Sequence, residues 1–128
     1  MRIVSRLPSA TELLCVIGCD DLPAVFRGTH LDPSRFVFHC FTGTPDEARR
    51  RLDFGAWTSF TRAVTFKKSK PIAEAARLVS ENRIMVETDA PDMNPEPEWK
   101  ILPNEPKHIA HVARFPAQIR DMDPTAFS

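Results

Sequence analysis

Phe36-Val37-Phe38-His39-Cys40-Phe41-Thr42-Gly43-Thr44-Pro45-Asp46-Glu47 changes character at its centre. The stretch 36–41 is apolar and rich in β-formers, as a buried strand requires. Thr44 then offers an N-cap oxygen, and Pro45 suits the first helical position. Asp46 and Glu47 set negative charge against the positive end of the helix dipole. A strand that runs straight into a capped helix is half of a βα unit. Ala48 and Leu52 share one face of that helix, and Gly55 ends it.

The pattern repeats downstream. Residues 56–60 read as a second strand. Ser69 or Lys70 with Pro71 opens a helix whose Ile72, Ala75, Ala76 and Val79 form a buried stripe, and Asn82 ends it. Residues 83–88 read as a third strand. Five prolines between Pro91 and Pro106 mark a long loop. Asn104 then caps a helix bearing Ile109, Val112 and Ala113, which Pro116 should end or kink near Arg114. Asp123-Pro124 looks like another helix start. Upstream, 2–5 reads as a short strand and Ser9-Ala10-Thr11-Glu12 as a capping box. That helix carries Leu13, Leu14 and Ile17 and stops at Gly18, and 24–26 is a possible strand. Strands separated by helices of this length argue for an α/β fold with a parallel sheet and right-handed crossovers. Pattern alone does not separate a barrel from an open sheet.

The bulk numbers bound the function. The 128 residues suffice for one domain with a real core. Net charge is zero, so no strong field draws the chain to nucleic acid or an anionic membrane, though a local metal would still hold phosphate. No apolar run reaches the length of a membrane span, and 13–17 is too short for a signal-peptide core. Cys15, Cys19 and Cys40 are read as reduced, buried thiols of a cytoplasmic protein.

Chemistry concentrates where the strands end, the edge at which parallel α/β sheets bind ligands. In Arg83-Ile84-Met85-Val86-Glu87-Thr88-Asp89-Ala90-Pro91, alternation puts Ile84, Val86 and Thr88 on one face and Met85, Glu87 and Asp89 on the other. Two acids at the end of a buried strand are costly without a cation or hydrogen bonds. The plainer alternative is an exposed Asp89 at a turn and a Glu87 paired with an arginine. His39 shares a face with Val37 and Phe41 by the same alternation. It reads either as a hydrogen-bonded core histidine or as a ligand.

Ordered motifs add to this. His39-Cys40-Phe41-Thr42-Gly43, Val64-Thr65-Phe66-Lys67, Glu87-Thr88-Asp89-Ala90-Pro91, and Asn104-Glu105-Pro106 with His111-Val112-Ala113 occur in sequence. From about Phe36 to Ala126 the chain resembles the carboxyl-terminal part of the TatD family of metal-dependent hydrolases. The resemblance implies a partial TIM barrel of about three to four βα units, with strands equivalent to the sixth to eighth. It implies a divalent metal (Mg, Mn or Zn) and hydrolysis of phosphodiester bonds, with DNA as the expected substrate. By position, His39 and Asp89 would be metal ligands, Asp89 would also handle the proton of the attacking water, and Glu87 would support them through a hydrogen bond. Asn104 and Glu105 match a loop at the substrate mouth, although a helix N-cap with an acid in its first turn explains them equally. His108 is expected on the surface of the last helix, and His111 in a structural role.

The family's further ligands, an H-x-H pair, a Glu and another His, are expected upstream of His39. Only His30 lies there, and the chain contains no H-x-H. A truncated hydrolase, weak or inactive alone, is therefore expected. Arg2-Ile3-Val4-Ser5, 7–12 and Gly18 are similar to the start of a cobalamin-binding, periplasmic-binding-protein-like family. The organisation expected is thus 1–34 of different origin and 35–128 TatD-like. A cobalamin-type binding module is one alternative function. A non-catalytic fragment that self-associates through open sheet edges is another.

Overall fold

The computed structural model describes residues 30, 32–92, 94–96, 100 and 103–123. The strands and helix expected before His30, with Cys15, Cys19 and Pro124, lie outside them. Within the described residues the α/β reading holds: three parallel strands alternate with helices.

The run at 36–41 yields only a two-residue strand, β1 (Val37–Phe38). Cys40 takes a left-handed backbone conformation, φ 54°, and this breaks the extended geometry. Helix α1 (Pro45–Phe54) follows as its caps dictate. Thr44 and Glu47 form both halves of a capping box, and Gly55 closes the other end at φ 92°. A Cβ on Gly43 would lie 2.5 Å from the Glu47 carboxylate, so any other residue there would make that side chain shift from where it folds back over the N-terminus.

Strand β2 (Trp57–Phe60) pairs with β1 in parallel, Val37 opposite Trp57 and Phe38 opposite Thr58. Helix α2 (Lys70–Leu78) buries Ile72, Ala75 and Ala76 as the stripe predicts. It ends earlier than Asn82, because Val79 turns to extended dihedrals while staying in the core. The Arg120 guanidinium donates to the carbonyls of Ala76 and Val79 that this end exposes. Desolvation holds the Arg120 pKa below its ordinary value. A 3-10 turn, Glu81–Arg83, feeds β3 (Ile84–Val86). That strand pairs with β2 in parallel, Thr58 opposite Ile84, Ser59 opposite Met85 and Phe60 opposite Val86. The order is β1-β2-β3.

The last helix differs from expectation at both ends. Its cap is Glu105, ahead of a 3-10 turn at Pro106–His108, and Asn104 serves elsewhere. Helix α3 (Ile109–Ile119) then runs through Pro116. A proline inside a helix costs roughly 3 kcal/mol. Pro116 is buried together with Val112 and Ala117 in the helix, and this packing offsets the lost hydrogen bond. His108, expected at the surface, is 5% exposed.

The three helices pack on one face of the sheet. Phe41, Phe60, Ile84 and Val86 meet Ala48, Ile72, Ala75, Ala76, Val112 and Ala117 there. Fully burying one such large side chain contributes about 1.5–3 kcal/mol. Phe41 belongs to this face and not to that of His39, because the left-handed Cys40 reverses the alternation. Its ring meets Phe60 edge-on at 5.3 Å. The opposite face of the sheet carries Val37, Trp57 and Met85 and, toward its carboxyl end, the polar residues.

Candidate metal centre

Paired residues in a sheet project from the same face, and successive residues alternate. Extending the β1 register by one residue sets His39 level with Ser59, and Ser59 is paired with Met85. Glu87 follows Met85 by two. His39, Ser59, Met85 and Glu87 therefore share the face turned away from the helices, at the carboxyl end of the sheet.

His39 Nδ1 lies 2.7 Å from Glu87 Oε2, and the Cys40 amide donates to Glu87 Oε1 at 2.5 Å. Both oxygens of a carboxylate only 6% exposed are thus engaged. The plainer reading, Glu87 paired with an arginine, is not what forms. A carboxylate accepting from Nδ1 fixes the ring tautomer, and Nε2 becomes the nitrogen through which His39 would hold a metal.

Cys40 and Asp89 both adopt left-handed backbone, φ 54° and 53°. Each such non-glycine residue costs about 1–2 kcal/mol. The two turns swing Cys40 Sγ to 3.6 Å from Asp89 Oδ2. One ligand atom each from Cys40, Glu87 and Asp89 lies within 4.8 Å of the others. Two carboxylate oxygens and a sulfur at this spacing fit a divalent cation. A second observation agrees with that fit: the Ser59 hydroxyl on this face is fully buried and has no hydrogen-bond partner among the described residues.

Asn104 holds the loop that carries Asp89. Its Nδ2 donates to the carbonyls of Thr88 at 2.5 Å and Asp92 at 2.6 Å, and its amide donates to Pro91 O at 2.7 Å. Asp92 N donates back to Asp89 O. Behind Asn104, His108 Nδ1 lies 3.0 Å from Asn104 Oδ1 and 2.8 Å from Asn94 Oδ1. Asn104 is 3% exposed, whereas Glu105 is exposed and pairs with Lys107 at 2.9 Å. The hydrogen bond from Lys107 holds the Glu105 carboxyl below the usual range. His111 stands 6.1 Å from the His108 ring.

Of the residues singled out in the sequence, the structure brings together His39, Glu87 and Asp89 and ties Asn104 to the loop of Asp89. Sequence reasoning took Cys40 for an ordinary buried thiol and passed over Ser59 and Asn94. Nothing in the strand pattern announces a left-handed residue at Cys40. A small hydroxyl inside an apolar strand was the available signal for Ser59.

Comparison with known proteins bears on this geometry. The family model described as "TatD related DNase" matches residues 15–128, so the match begins inside the 1–34 segment. The chain is 37% identical over 92 residues to an "Uncharacterized metal-dependent hydrolase" of Buchnera aphidicola, covering 72% of this chain and 34% of that protein. It is 34% identical over 103 residues to the "Uncharacterized metal-dependent hydrolase YabD" of Bacillus subtilis, 80% of this chain and 40% of that one. It is 33% identical over 130 residues to the "3'-5' ssDNA/RNA exonuclease TatD" of Citrobacter koseri, 93% and 49%. The chain thus spans between a third and a half of the length of these relatives.

Proposed function

We propose, from the premise that this chain belongs to the TatD-related DNase family, that its strand-end cluster serves metal-dependent hydrolysis of phosphodiester bonds. The observation that carries this reading is the 2.7 Å contact between His39 Nδ1 and Glu87, beside Asp89. His39 and Asp89 are the proposed metal ligands. Glu87 orients the His39 ring and keeps Nδ1 protonated. Asp89 orients the attacking water and takes its proton, the work of a general base. Asn104 and Glu105 lie at the substrate mouth, with Asn104 securing the loop of Asp89. A bound divalent cation (Mg, Mn or Zn) would lower the pKa of water and neutralise charge on the phosphoryl oxygens.

The fold proposed is the part of a TIM barrel that corresponds to strands six to eight, with 35–128 as the TatD-like unit. The substrate proposed is DNA or another phosphodiester, and the setting is the cytoplasm. No helix among the described residues is long and apolar enough to cross a membrane. Catalytic zinc sites usually take three protein ligands. His39 and Asp89 are two, so these 128 residues alone are proposed to be weak or inactive, and full activity needs ligands from elsewhere. Self-association through open sheet edges is the other interaction proposed.

The test is a thermal melt of the purified chain with and without Mn²⁺ or Zn²⁺, beside Asp89→Asn. A cation that binds only the folded state raises the melting temperature by mass action. A rise in the parent and none in Asp89→Asn supports the reading. A melt indifferent to metal in the parent sinks it.

A further inference from the structure

Two buried hydroxyls sit side by side on β2 without hydrogen-bond partners among the described residues: Thr58 Oγ1 and Ser59 Oγ. Both residues are fully buried. A buried hydroxyl that makes no hydrogen bond costs about 1–3 kcal/mol, so each needs an explanation. Their surroundings differ. Thr58 is paired with Phe38 and Ile84 and belongs to the face packed by the helices. Ser59 belongs to the opposite face, which carries the candidate metal centre.

The register places Ser59 closely. Strand β2 lies between β1 and β3, and neighbouring strands are about 4.8 Å apart, so His39 and Glu87 project from backbones roughly 10 Å apart. Their side chains nonetheless meet at 2.7 Å. They close over the middle strand between the level of Ser59, which the register sets beside His39, and that of Thr61, which it sets beside Glu87. The main chain is tied at the same level, since Phe41 N donates to Ser59 O and Glu87 N to Phe60 O. The Ser59 side chain therefore projects from the floor of the sheet on the face that carries the cluster.

We propose that Ser59 is a ligand-contacting residue of this centre, its hydroxyl hydrogen-bonding an oxygen that enters with the ligand. That oxygen belongs either to a water carried by the cation or to a phosphoryl group. The hydroxyl is unpartnered because its partner arrives from outside the protein. The inference rests on the metal-dependent reading given above and adds a residue to it.

The experiment compares the parent, Ser59→Ala and Thr58→Val in two measurements. One is the melting temperature of the metal-free protein. The other is calorimetric titration with Mn²⁺ alone, then of the Mn²⁺-loaded protein with a deoxynucleoside monophosphate. Removing an unpartnered hydroxyl should leave the metal-free melting temperature unchanged or raised in both variants. Only Ser59→Ala should then weaken binding, by about tenfold or more, the scale of one hydrogen bond to a charged group. A loss already seen with Mn²⁺ alone identifies the oxygen as water; a loss confined to the nucleotide identifies a phosphoryl oxygen. If Ser59→Ala binds both ligands as the parent does, or lowers the metal-free melting temperature, the inference is overturned. If Mn²⁺ fails to bind the parent, the functional reading itself falls, and this inference with it.

Discussion

His39 and Glu87 stand on strands separated by a third, yet Nδ1 of one lies 2.7 Å from Oε2 of the other. The contact makes Glu87 the group that decides how the His39 ring faces the cluster. Carboxylates that orient a ligating histidine typically contribute 10–100-fold to metal affinity. Glu87→Gln should weaken divalent cation binding by about that factor in a calorimetric titration. It preserves the shape of the side chain, so the circular dichroism spectrum should not change. Equal affinity in the two proteins would rule out an orienting role.

Asn104 is predicted to act on Asp89 through the loop at 88–92. Asn104→Asp removes both side-chain donors and turns an oxygen toward the carbonyls of Thr88 and Asp92. Leaving such part-buried carbonyls without a donor costs up to about 1–3 kcal/mol. Amide hydrogen exchange should show the loss locally. The Asp92 amide, which donates to Asp89 O, should lose protection, while the amides of β3 keep theirs. Unaltered protection at Asp92 would show that the turn holds itself.

The left-handed backbone at Cys40 sets a prediction on residue type. A β-branched side chain is strongly disfavoured at φ 54°. Cys40→Val should destabilise the protein by about 1–3 kcal/mol in urea titration, and Cys40→Gly by clearly less. The reverse order would mean that thiol packing outweighs the backbone.

The capping box of α1 gives a pH dependence with a definite sign. Hydrogen bonding from the Thr44 amide, first, then from its hydroxyl, and the charge of Arg51 hold the Glu47 carboxyl below its ordinary 4.5. A lowered folded-state pKa means that the carboxylate stabilises the fold above the unfolded value. That contribution is lost as pH falls through the lower, folded value. The melting-temperature gap between the parent and Glu47→Gln should be full at neutral pH and shrink once pH drops below 4.5. A gap that persists in acid would assign the effect to shape and not to charge.

Much of the fold was legible in local chemistry. Thr44, Pro45, Glu47 and Gly55 specify α1 within a dozen residues, because capping is a short-range hydrogen-bonding problem. The stripe of Ile72, Ala75 and Ala76 was legible for the same kind of reason. Helix ends that depend on packing were not. Val79 leaves α2 early because the core takes it in an extended conformation, and Pro116 stays inside α3 because burial outweighs one lost hydrogen bond. His108 looked like a surface residue, since helical periodicity does not reveal that the proline-rich loop brings Asn94 onto its ring or that Asn104, four residues upstream, turns to bond it.

The amino-acid sequence by itself determined the order of the described strands and helices and the α/β class, and it set His39, Glu87 and Asp89 at strand ends. These follow from side-chain period and residue type, which are local. Only the tertiary structure decided that His39 reaches Glu87 across β2 and that Cys40 swings into the cluster. It alone put Asn104 behind the loop of Asp89 and left Ser59 beneath the site without a partner. Those relations depend on strand register and on backbone conformations that packing imposes between segments some 50 residues apart.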